Sequence, residues 1–268
     1  MARANRHYMP GHIWHIIHRC HKREFLLKFA KDRHRRLQWL FEARRRFGLT
    51  VLNYMVTSNH IHLIVFDKEG GEVIPKIIQL VAGRTGQQYN ERKCRKGAFW
   101  QDRYHATAIE SGEHLARCLI YVDLNMVRAG VVAHPCKWSF SGYNEIQQPR
   151  RKCQLIAYDE LRRMLEFDRY DQLRNAHKSW VDEALKGGSS GREARWSESI
   201  AVGSEEFVER TKEELGTRAK GREVREMDGQ FELREPGGSY KGHFGHENDD
   251  IGAENTYFWN DYPEESDR

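Results

Sequence analysis

Hydrophobic and polar residues alternate in several short runs of the first half of the chain. The segment 12–20 has the period of two that is typical of a β-strand, and the segments 50–57 and 60–66 are rich in β-branched and aromatic residues. Only Ser58 and Asn59 separate the last two runs, and this pair suits a tight turn. The pattern therefore predicts a β-hairpin in the middle of this half.

Helical periodicity appears on either side of this hairpin. Residues 30–47 read as a basic amphipathic helix, and helices are also predicted over 72–90 and 111–128. A further strand-like run covers 98–110. The order β, α, β, β, α, β, α predicts an α+β fold of the ferredoxin-like, split βαβ type, which is a sandwich of an antiparallel sheet with helices on one face.

The chain after residue 148 is less regular. We expect one domain over 1–148, a helical extension over 149–186, and a segment over 187–227 that combines the linker GGSSG with a short helix. The last segment, 228–268, holds 11 acidic residues against 3 basic ones and many glycines, so we expect a disordered acidic tail.

Charge is distributed unevenly between the two halves. Residues 1–150 contain 25 Lys and Arg against 12 Asp and Glu, whereas the remainder contains 19 against 27. The N-terminal half is therefore a candidate for binding a polyanion. Five widely spaced cysteines without a CxxC motif fit a reducing cytoplasm, and no apolar run approaches the roughly 20 residues of a membrane helix.

Two histidines stand one residue apart in the sequence TSNHIHLIV. On a strand, His60 and His62 project from one face, while Ile61 and Leu63 point the other way, into the helix layer. Two imidazoles on one face can share a divalent ion. The triplet alone is equally compatible with two core histidines, so a third ligand is needed to favour a metal site.

The predicted helix over 111–128 carries two neighbouring stripes with the same spacing. The apolar stripe consists of Leu115, Leu119, Val122 and Met126. The polar or amphipathic stripe consists of His114, Arg117, Tyr121, Asn125 and Arg128. The second stripe can be an ordinary solvated face. Tyr121 and Asn125, however, lie one turn apart, and they offer a phenol nucleophile beside an amide-oxygen ligand.

These two motifs, SNHIHLIV and then YVDLNMVRAGVV some sixty positions later, resemble those of the single-tyrosine HUH transposases of small insertion sequences, and most closely the REP-associated tyrosine transposases. The resemblance covers about residues 1–145, including WQDRYHATAI and WSFSGY. It implies that His60, His62 and Asn125 bind Mg²⁺ or Mn²⁺. It also implies that Tyr121 is the catalytic nucleophile.

The same resemblance implies a reaction and a partner. Such enzymes cleave and rejoin single-stranded or hairpin DNA through a 5′-phosphotyrosine. Because this ester keeps the energy of the cleaved phosphodiester bond, the strands can be joined without ATP. The resemblance leaves open whether Tyr121 acts within its own subunit or across a homodimer. The candidate contacts to phosphates and bases are Arg3, Arg6, Trp100, Arg103, Tyr104, Arg117 and Arg128.

The sequence departs from the family pattern at two places. Thr57 and Ser58 stand where many relatives have Met-Pro, and Met126 stands where many have Pro. Neither change affects a proposed ligand or the proposed nucleophile. The departures therefore leave open to which subgroup of the family the chain belongs, and they bear less on the expected chemistry. Tyr104 is the second candidate for the nucleophile.

Alternative functions remain. The first is a domesticated DNA-binding protein that recognises hairpins but moves no element. A histidine-triad nucleotide hydrolase needs a third alternating histidine, but position 64 is Ile. A replication or conjugation nickase commonly adds a helicase, and the chain has no GxxxxGK segment. Three further histidines are interpreted as ordinary strand residues: His12, His15 and His18.

Overall fold

A computed structural model of the protein describes residues 9–68, 73–188 and 191–235. The strands are β1 (Ile13–Arg19), β2 (Thr50–Val56), β3 (His60–Phe66), β4 (His105–Ile109), β5 (Ala201–Gly203), β6 (Glu223–Met227) and β7 (Gln230–Arg234). The helices are α1 (Ala30–Phe47), α2 (Val73–Arg92), α3 (Glu113–Asp123), α4 (Asn125–Arg128), α5 (Gly142–Gln147), α6 (Tyr158–Met164), α7 (Tyr170–Lys186), α8 (Arg195–Glu198) and α9 (Glu205–Leu215). None of the helices in these ranges is long and apolar enough to cross a bilayer.

The first four strands form the predicted split βαβ core. They lie in the order β2-β3-β1-β4, and each neighbouring pair is antiparallel. The hairpin between β2 and β3 turns at Ser58 and Asn59, as the sequence predicts. The α+β fold class is thus confirmed, and α1 begins and ends at the predicted residues.

Alternation along β1 gives the sheet two differently lined faces. His18 stacks on the indole of Trp100 at a centroid distance of 4.1 Å, and this indole donates a hydrogen bond to the Ala82 carbonyl of α2. That face therefore lies against the α1 and α2 layer. The opposite face carries His15 and His62 and lies beneath α3, so the structure adds a second layer of helices to the predicted one.

The segment after residue 187 joins the same sheet instead of forming a linker with an isolated helix. β5 pairs in parallel with β4 through Ala108 and Ala201, and β7 and β6 extend the sheet beyond β5. The prediction of a linker and a short helix over 187–227 therefore missed strands β5 and β6, although α9 forms as expected. Of the GGSSG stretch, residues 189–190 lie outside the described residues.

The predicted acidic tail begins too early. Residues Gln230–Arg234 form β7, in which Leu233 is fully buried. The composition of the tail hid this short strand, because its apolar residues Phe231 and Leu233 stand among acidic ones. The rest of the predicted tail, 236–268, lies outside the described residues.

The helix predicted over 111–128 is interrupted. α3 ends at Asp123, Leu124 adopts φ −80° and ψ 1°, and α4 begins at Asn125. The apolar stripe is nevertheless buried as predicted, with Leu115, Leu119, Val122 and Met126 at most 1% exposed.

A buried polar network joins α3 to β2 and α7. Asp123 accepts hydrogen bonds from Asn53 Nδ2 at 3.0 Å and from His177 Nε2 at 2.7 Å. His177 Nδ1 in turn lies 2.9 Å from the amide of Gln147. Because Asp123 and His177 are 0% and 1% exposed, removing either partner leaves the other buried without its main contact. The network therefore fixes the helical extension against the helix that carries Tyr121.

We expect His177→Leu to lower the free energy of unfolding by about 3–5 kcal/mol, because it strands the Asp123 carboxylate in the core. His134→Leu is the matched control, since His134 also contacts an aspartate of α7, Asp182, but at 3.5 Å with side chains 28% and 41% exposed. Its cost should stay below about 1 kcal/mol. Urea denaturation measures both, and equal losses for the two variants would contradict this role.

Candidate active site

The two predicted metal ligands meet at their ring nitrogens. His60 Nε2 lies 3.1 Å from His62 Nε2, and the two rings are nearly perpendicular. Both side chains project from one face of β3 because they are two residues apart on a strand. His62 is buried, whereas His60 is half-buried at the end of the strand. The pair therefore extends from the buried core towards the protein surface.

The position of the proton on His60 follows from its neighbour Asn59. The Asn59 amide donates through Nδ2 to the Arg23 carbonyl at 3.3 Å, so its Oδ1 faces His60. His60 Nδ1 lies 2.7 Å from that oxygen and 3.0 Å from Thr57 Oγ1. Since Asn59 Oδ1 is only an acceptor, His60 Nδ1 carries a proton and donates it. In the neutral form of this ring, the lone pair is then on Nε2.

The position of the proton on His62 follows from a longer chain of contacts. His15 Nδ1 lies 3.0 Å from the Trp196 carbonyl, and this contact requires a proton on Nδ1. Burial, together with neighbouring His105, lowers the pKa of His15 to about 3, so its Nε2 is an acceptor at neutral pH. His62 Nδ1 lies 2.9 Å from this Nε2 and donates to it.

Burial, followed by the nearby ring of His60, lowers the pKa of His62 well below its usual value, so His62 is neutral. When His60 is neutral as well, the two Nε2 atoms face each other with lone pairs. Two lone pairs 3.1 Å apart repel each other unless a proton or a metal ion lies between them. The arrangement thus has the electronic character of a cation site.

Asn125 supplies the third group. Its amide Nδ2 lies 3.1 Å from His62 Nε2. Rotating the amide by half a turn exchanges Nδ2 with Oδ1 and presents an oxygen ligand at the same place. Asn125 is the first residue of α4, directly after the interruption at Leu124.

These three groups fit a divalent ion. Neighbouring ligands of an octahedral ion with bonds of about 2.1 Å are about 3 Å apart, which matches the two separations of 3.1 Å. Two imidazoles and one amide oxygen suit Mn²⁺ better than Mg²⁺, which prefers oxygen ligands. Within 9–68, 73–188 and 191–235, no three His, Cys, Asp or Glu side chains form a metal-binding group.

Tyr121 lies beside the histidine pair. Its ring meets the rings of His62 and His15 edge-on, at centroid distances of 6.0 and 6.2 Å, and lies 6.0 Å from the indole of Trp196. The side chain is only 6% exposed. Burial raises the pKa of the Tyr121 phenol, while the positive charge of Arg128 acts in the opposite direction.

Arg128 contacts Tyr121 twice. Its guanidinium lies over the phenol ring at 4.2 Å from the ring centroid, and it donates to the Tyr121 carbonyl at 2.6 Å. Stacking of this kind favours the anionic form of the ring oxygen through the nearby positive charge. The candidate site thus combines two histidines suited to bind a cation with a tyrosine that lies against the positively charged Arg128.

Comparison with known proteins agrees with this constellation. Residues 9–125 match the family model described as Transposase IS200 like, and the match ends at Asn125, the third candidate ligand. We refer to residues 9–125, which match this family model, as the transposase domain. It contains both histidines, the tyrosine and the asparagine of the site.

Two solved structures are similar to part of this chain. A REP-associated tyrosine transposase bound to a REP hairpin is 19% identical, with 54% of this chain and 84% of that chain covered at a TM-score of 0.46. A protein of Deinococcus radiodurans R1, provisionally assigned as a transposase, is 16% identical, with 44% and 91% covered at a TM-score of 0.30. No curated protein sequence matches this chain.

Two of the predicted DNA contacts lie on the face of the sheet opposite to the histidine pair. Trp100 and Tyr104 contact His18 on the opposite face of the sheet, and Tyr104 is buried. Arg103 is exposed, and exposed Arg117 forms an ion pair with Glu113. Arg128, in contrast, lies on Tyr121. The remaining two, Arg3 and Arg6, fall outside the described residues.

Sequence reasoning missed two groups of the site. His15 was interpreted as an ordinary strand residue, whereas the structure bonds it to His62; His12 and His18 contact other groups. The signal for His15 is its register, since β1 pairs with β3 so that His15 and His62 are diagonal neighbours on one face. The carbonyl of Trp196 is a backbone group and leaves no signal in the sequence.

We expect Arg128→Gln to raise the pKa of Tyr121 further, because the variant removes the positive charge that opposes the effect of burial. Arg117→Gln is the control, since Arg117 lies on the same helix but pairs with Glu113. Titration of ¹³Cζ-labelled tyrosine by NMR reports the Tyr121 resonance. An unchanged or lowered pKa in Arg128→Gln would exclude this electrostatic role.

Proposed function

We propose that the protein is a metal-dependent transposase that cleaves and rejoins single-stranded, hairpin-flanked DNA through a 5′-phosphotyrosine formed on Tyr121. The observation that carries this proposal is the position of the Tyr121 ring, 6.0 Å from that of His62, whose Nε2 faces that of His60. A structural role for the histidines accounts for their burial, but it gives no reason for two opposed lone pairs beside a tyrosine.

The proposed metal site uses groups that the geometry brings together. His60 and His62 would hold Mn²⁺ or Mg²⁺ through Nε2, and Asn125 would hold it through Oδ1. A bound divalent ion polarises a phosphate oxygen and offsets the charge that develops during attack on the phosphate. The Nδ1–H groups of both histidines remain engaged with protein acceptors, which keeps the rings oriented.

The proposed transesterification needs no reactant other than the DNA and Tyr121. Tyr121 Oη loses its proton and forms a bond to phosphorus, while the bond from phosphorus to the 3′-oxygen breaks and that oxygen takes up a proton. Arg128 supports the step because its charge favours the phenolate. The reverse reaction with another 3′-hydroxyl releases Tyr121 and joins the strands, so no external energy source is needed.

The charge of the domain favours DNA as the partner. Residues 1–150 carry 25 Lys and Arg against 12 Asp and Glu. Exposed members of this set lie on α1, where Arg45 and Arg46 are in its last turn, and on the loop that carries Arg103. Such groups contact phosphates without reading sequence. A single strand or hairpin end suits the site because the backbone must approach a tyrosine fixed on a helix.

A second function is a domesticated hairpin-binding protein that does not cleave DNA. One observation favours it: Tyr121 is 6% exposed and lies against Trp196, and its burial raises the pKa of the phenol. A nucleophile in this state is covered and mostly protonated at neutral pH. The two functions share DNA binding and differ in whether a covalent adduct forms.

Incubation of the purified protein with labelled single-stranded hairpin DNA from its own genomic flanks distinguishes them. We expect a covalent adduct with Mn²⁺ and none with EDTA. Tyr121→Phe should abolish the adduct, with a loss of at least about 1,000-fold, because no other phenol lies beside the histidine pair among the described residues.

Tyr104→Phe is the matched control, since Tyr104 is also buried but contacts His18 on the other face of the sheet. It should form the adduct as the wild type does. Tight hairpin binding without an adduct under any metal would support the domesticated binder. Loss of the adduct in Tyr104→Phe but not in Tyr121→Phe would show that Tyr104, and not Tyr121, is the nucleophile.

A further inference from the structure

A chain of hydrogen bonds leads from the histidine pair to a part of the protein beyond the transposase domain. His62 Nδ1 lies 2.9 Å from His15 Nε2, and His15 Nδ1 lies 3.0 Å from the carbonyl oxygen of Trp196. The two rings are parallel within 8° at a centroid distance of 5.1 Å. His15 is 0% exposed and His62 is 3% exposed, so water does not compete for these contacts.

The Trp196 carbonyl is available because of its place in the chain. It lies in α8, a helix that ends at Glu198, and carbonyls in the last turn of a helix lack partners within that helix. A buried carbonyl needs a donor, and His15 provides one. The position of Trp196 is fixed by its fully buried indole, whose Nε1 donates to Glu193 at 3.0 Å.

The sheet holds the other end of this chain. β5 follows α8 directly and pairs with β4, while Thr107 of β4 donates to the Ser199 carbonyl at 2.7 Å. The segment with Trp196 is thus attached to the strand next to β1, on which His15 lies. His15 therefore stands between two fixed groups, a backbone acceptor on one side and a candidate metal ligand on the other.

We propose that His15 is a positioning residue that keeps the proton of His62 on Nδ1 and thereby leaves Nε2 of His62 free to bind the metal. The carbonyl of Trp196, supplied by the extension after the transposase domain, fixes the tautomer of His15. This inference rests on the proposed function only for the metal; the position of the proton on His62 is a property of the metal-free protein.

The chemistry explains why this arrangement matters for binding. A neutral histidine exchanges its proton between Nδ1 and Nε2, and the hydrogen bond made by one nitrogen decides which form dominates. If Nε2 of His62 held the proton, the ring would have no lone pair for an ion beside His60. Partners of this kind also hold ligand rings in orientation, and their loss typically lowers metal affinity 10- to 100-fold.

The test uses the full-length protein in four forms: wild type, His15→Phe, His15→Gln and His18→Phe. Phenylalanine keeps a ring in the core but cannot accept a hydrogen bond from His62, whereas glutamine retains an acceptor oxygen. His18→Phe is the matched control, because His18 is a buried histidine of the same strand that contacts a backbone carbonyl, that of Asp102, on the other face.

Two readouts are needed. Long-range ¹H–¹⁵N spectra of the metal-free protein give the protonated nitrogen of His62, and titration with Mn²⁺ alone, followed by electron paramagnetic resonance, gives the affinity. We expect Nδ1–H in the wild type and about 10- to 100-fold weaker Mn²⁺ binding in His15→Phe. His15→Gln and His18→Phe should stay within a few-fold of the wild type.

The outcomes separate this inference from the proposed function. A proton on Nε2 of His62 in the wild type, or unchanged Mn²⁺ affinity in His15→Phe, would overturn the role of His15. If the wild type binds no Mn²⁺, the proposed metal site fails, and the spectra alone then decide the tautomer. If His15→Phe does not fold, the wild-type spectra and His15→Gln still provide the test.

Discussion

The close approach of two imidazole nitrogens is the constraint on which the candidate site depends. His60 Nε2 and His62 Nε2 are 3.1 Å apart, and the Nδ1 of each ring is committed as a donor, one to Asn59 and the other to His15. Such a contact is repulsive between neutral rings. The fold maintains it only because the tight turn before β3, strand β1 and helix α8 each hold one of the groups involved.

The elements of the fold meet their functional tasks through simple geometry. The period of two in β3 puts both histidines on one face, and the antiparallel register with β1 adds His15 diagonally to His62. Tyr121 of α3 and Asn125 of α4 both contact His62. The network around Asp123 anchors α3, so Tyr121 is carried on a helix that is fixed at its C-terminal end.

The C-terminal extension is part of the site, although the family match ends at residue 125. The ring of Tyr121 lies 6.0 Å from the Trp196 indole, and the carbonyl oxygen of Trp196 accepts a hydrogen bond from His15. Strands β5 to β7 hold this segment by continuing the central sheet. The structure therefore assigns the extension a contribution to the electrostatics of the transposase domain in addition to its own packing.

Local patterns predicted the elements well where burial and periodicity agree. The alternating run of β1, the amphipathic α1 and the apolar stripe of α3 follow directly from side-chain spacing. The break at Leu124 was missed because the apolar spacing continues through it, although Asp123 and Asn125 beside it are weak helix formers. β7 was missed because a five-residue strand inside an acidic stretch gains its stability from neighbouring strands, which the local sequence does not show.

The candidate site divides in the same way. The histidines, Tyr121 and Asn125 are identifiable from spacing and from the resemblance to a family. The partner of His15 is a backbone carbonyl, and any residue at position 196 offers one. Trp100 and Tyr104 were expected near the DNA on the basis of residue type, but the parity of β1 places their partner His18 on the opposite face from His15.

The central claim is that a metal ion, and not a shared proton, joins the facing nitrogens. Crystals grown with Mn²⁺ and measured at the manganese absorption edge test it most directly. The account predicts an anomalous peak within bonding distance of His60 Nε2 and His62 Nε2, with the Asn125 amide turned so that Oδ1 faces the peak. A map with no anomalous peak there, at a Mn²⁺ concentration that supports DNA binding, would contradict it.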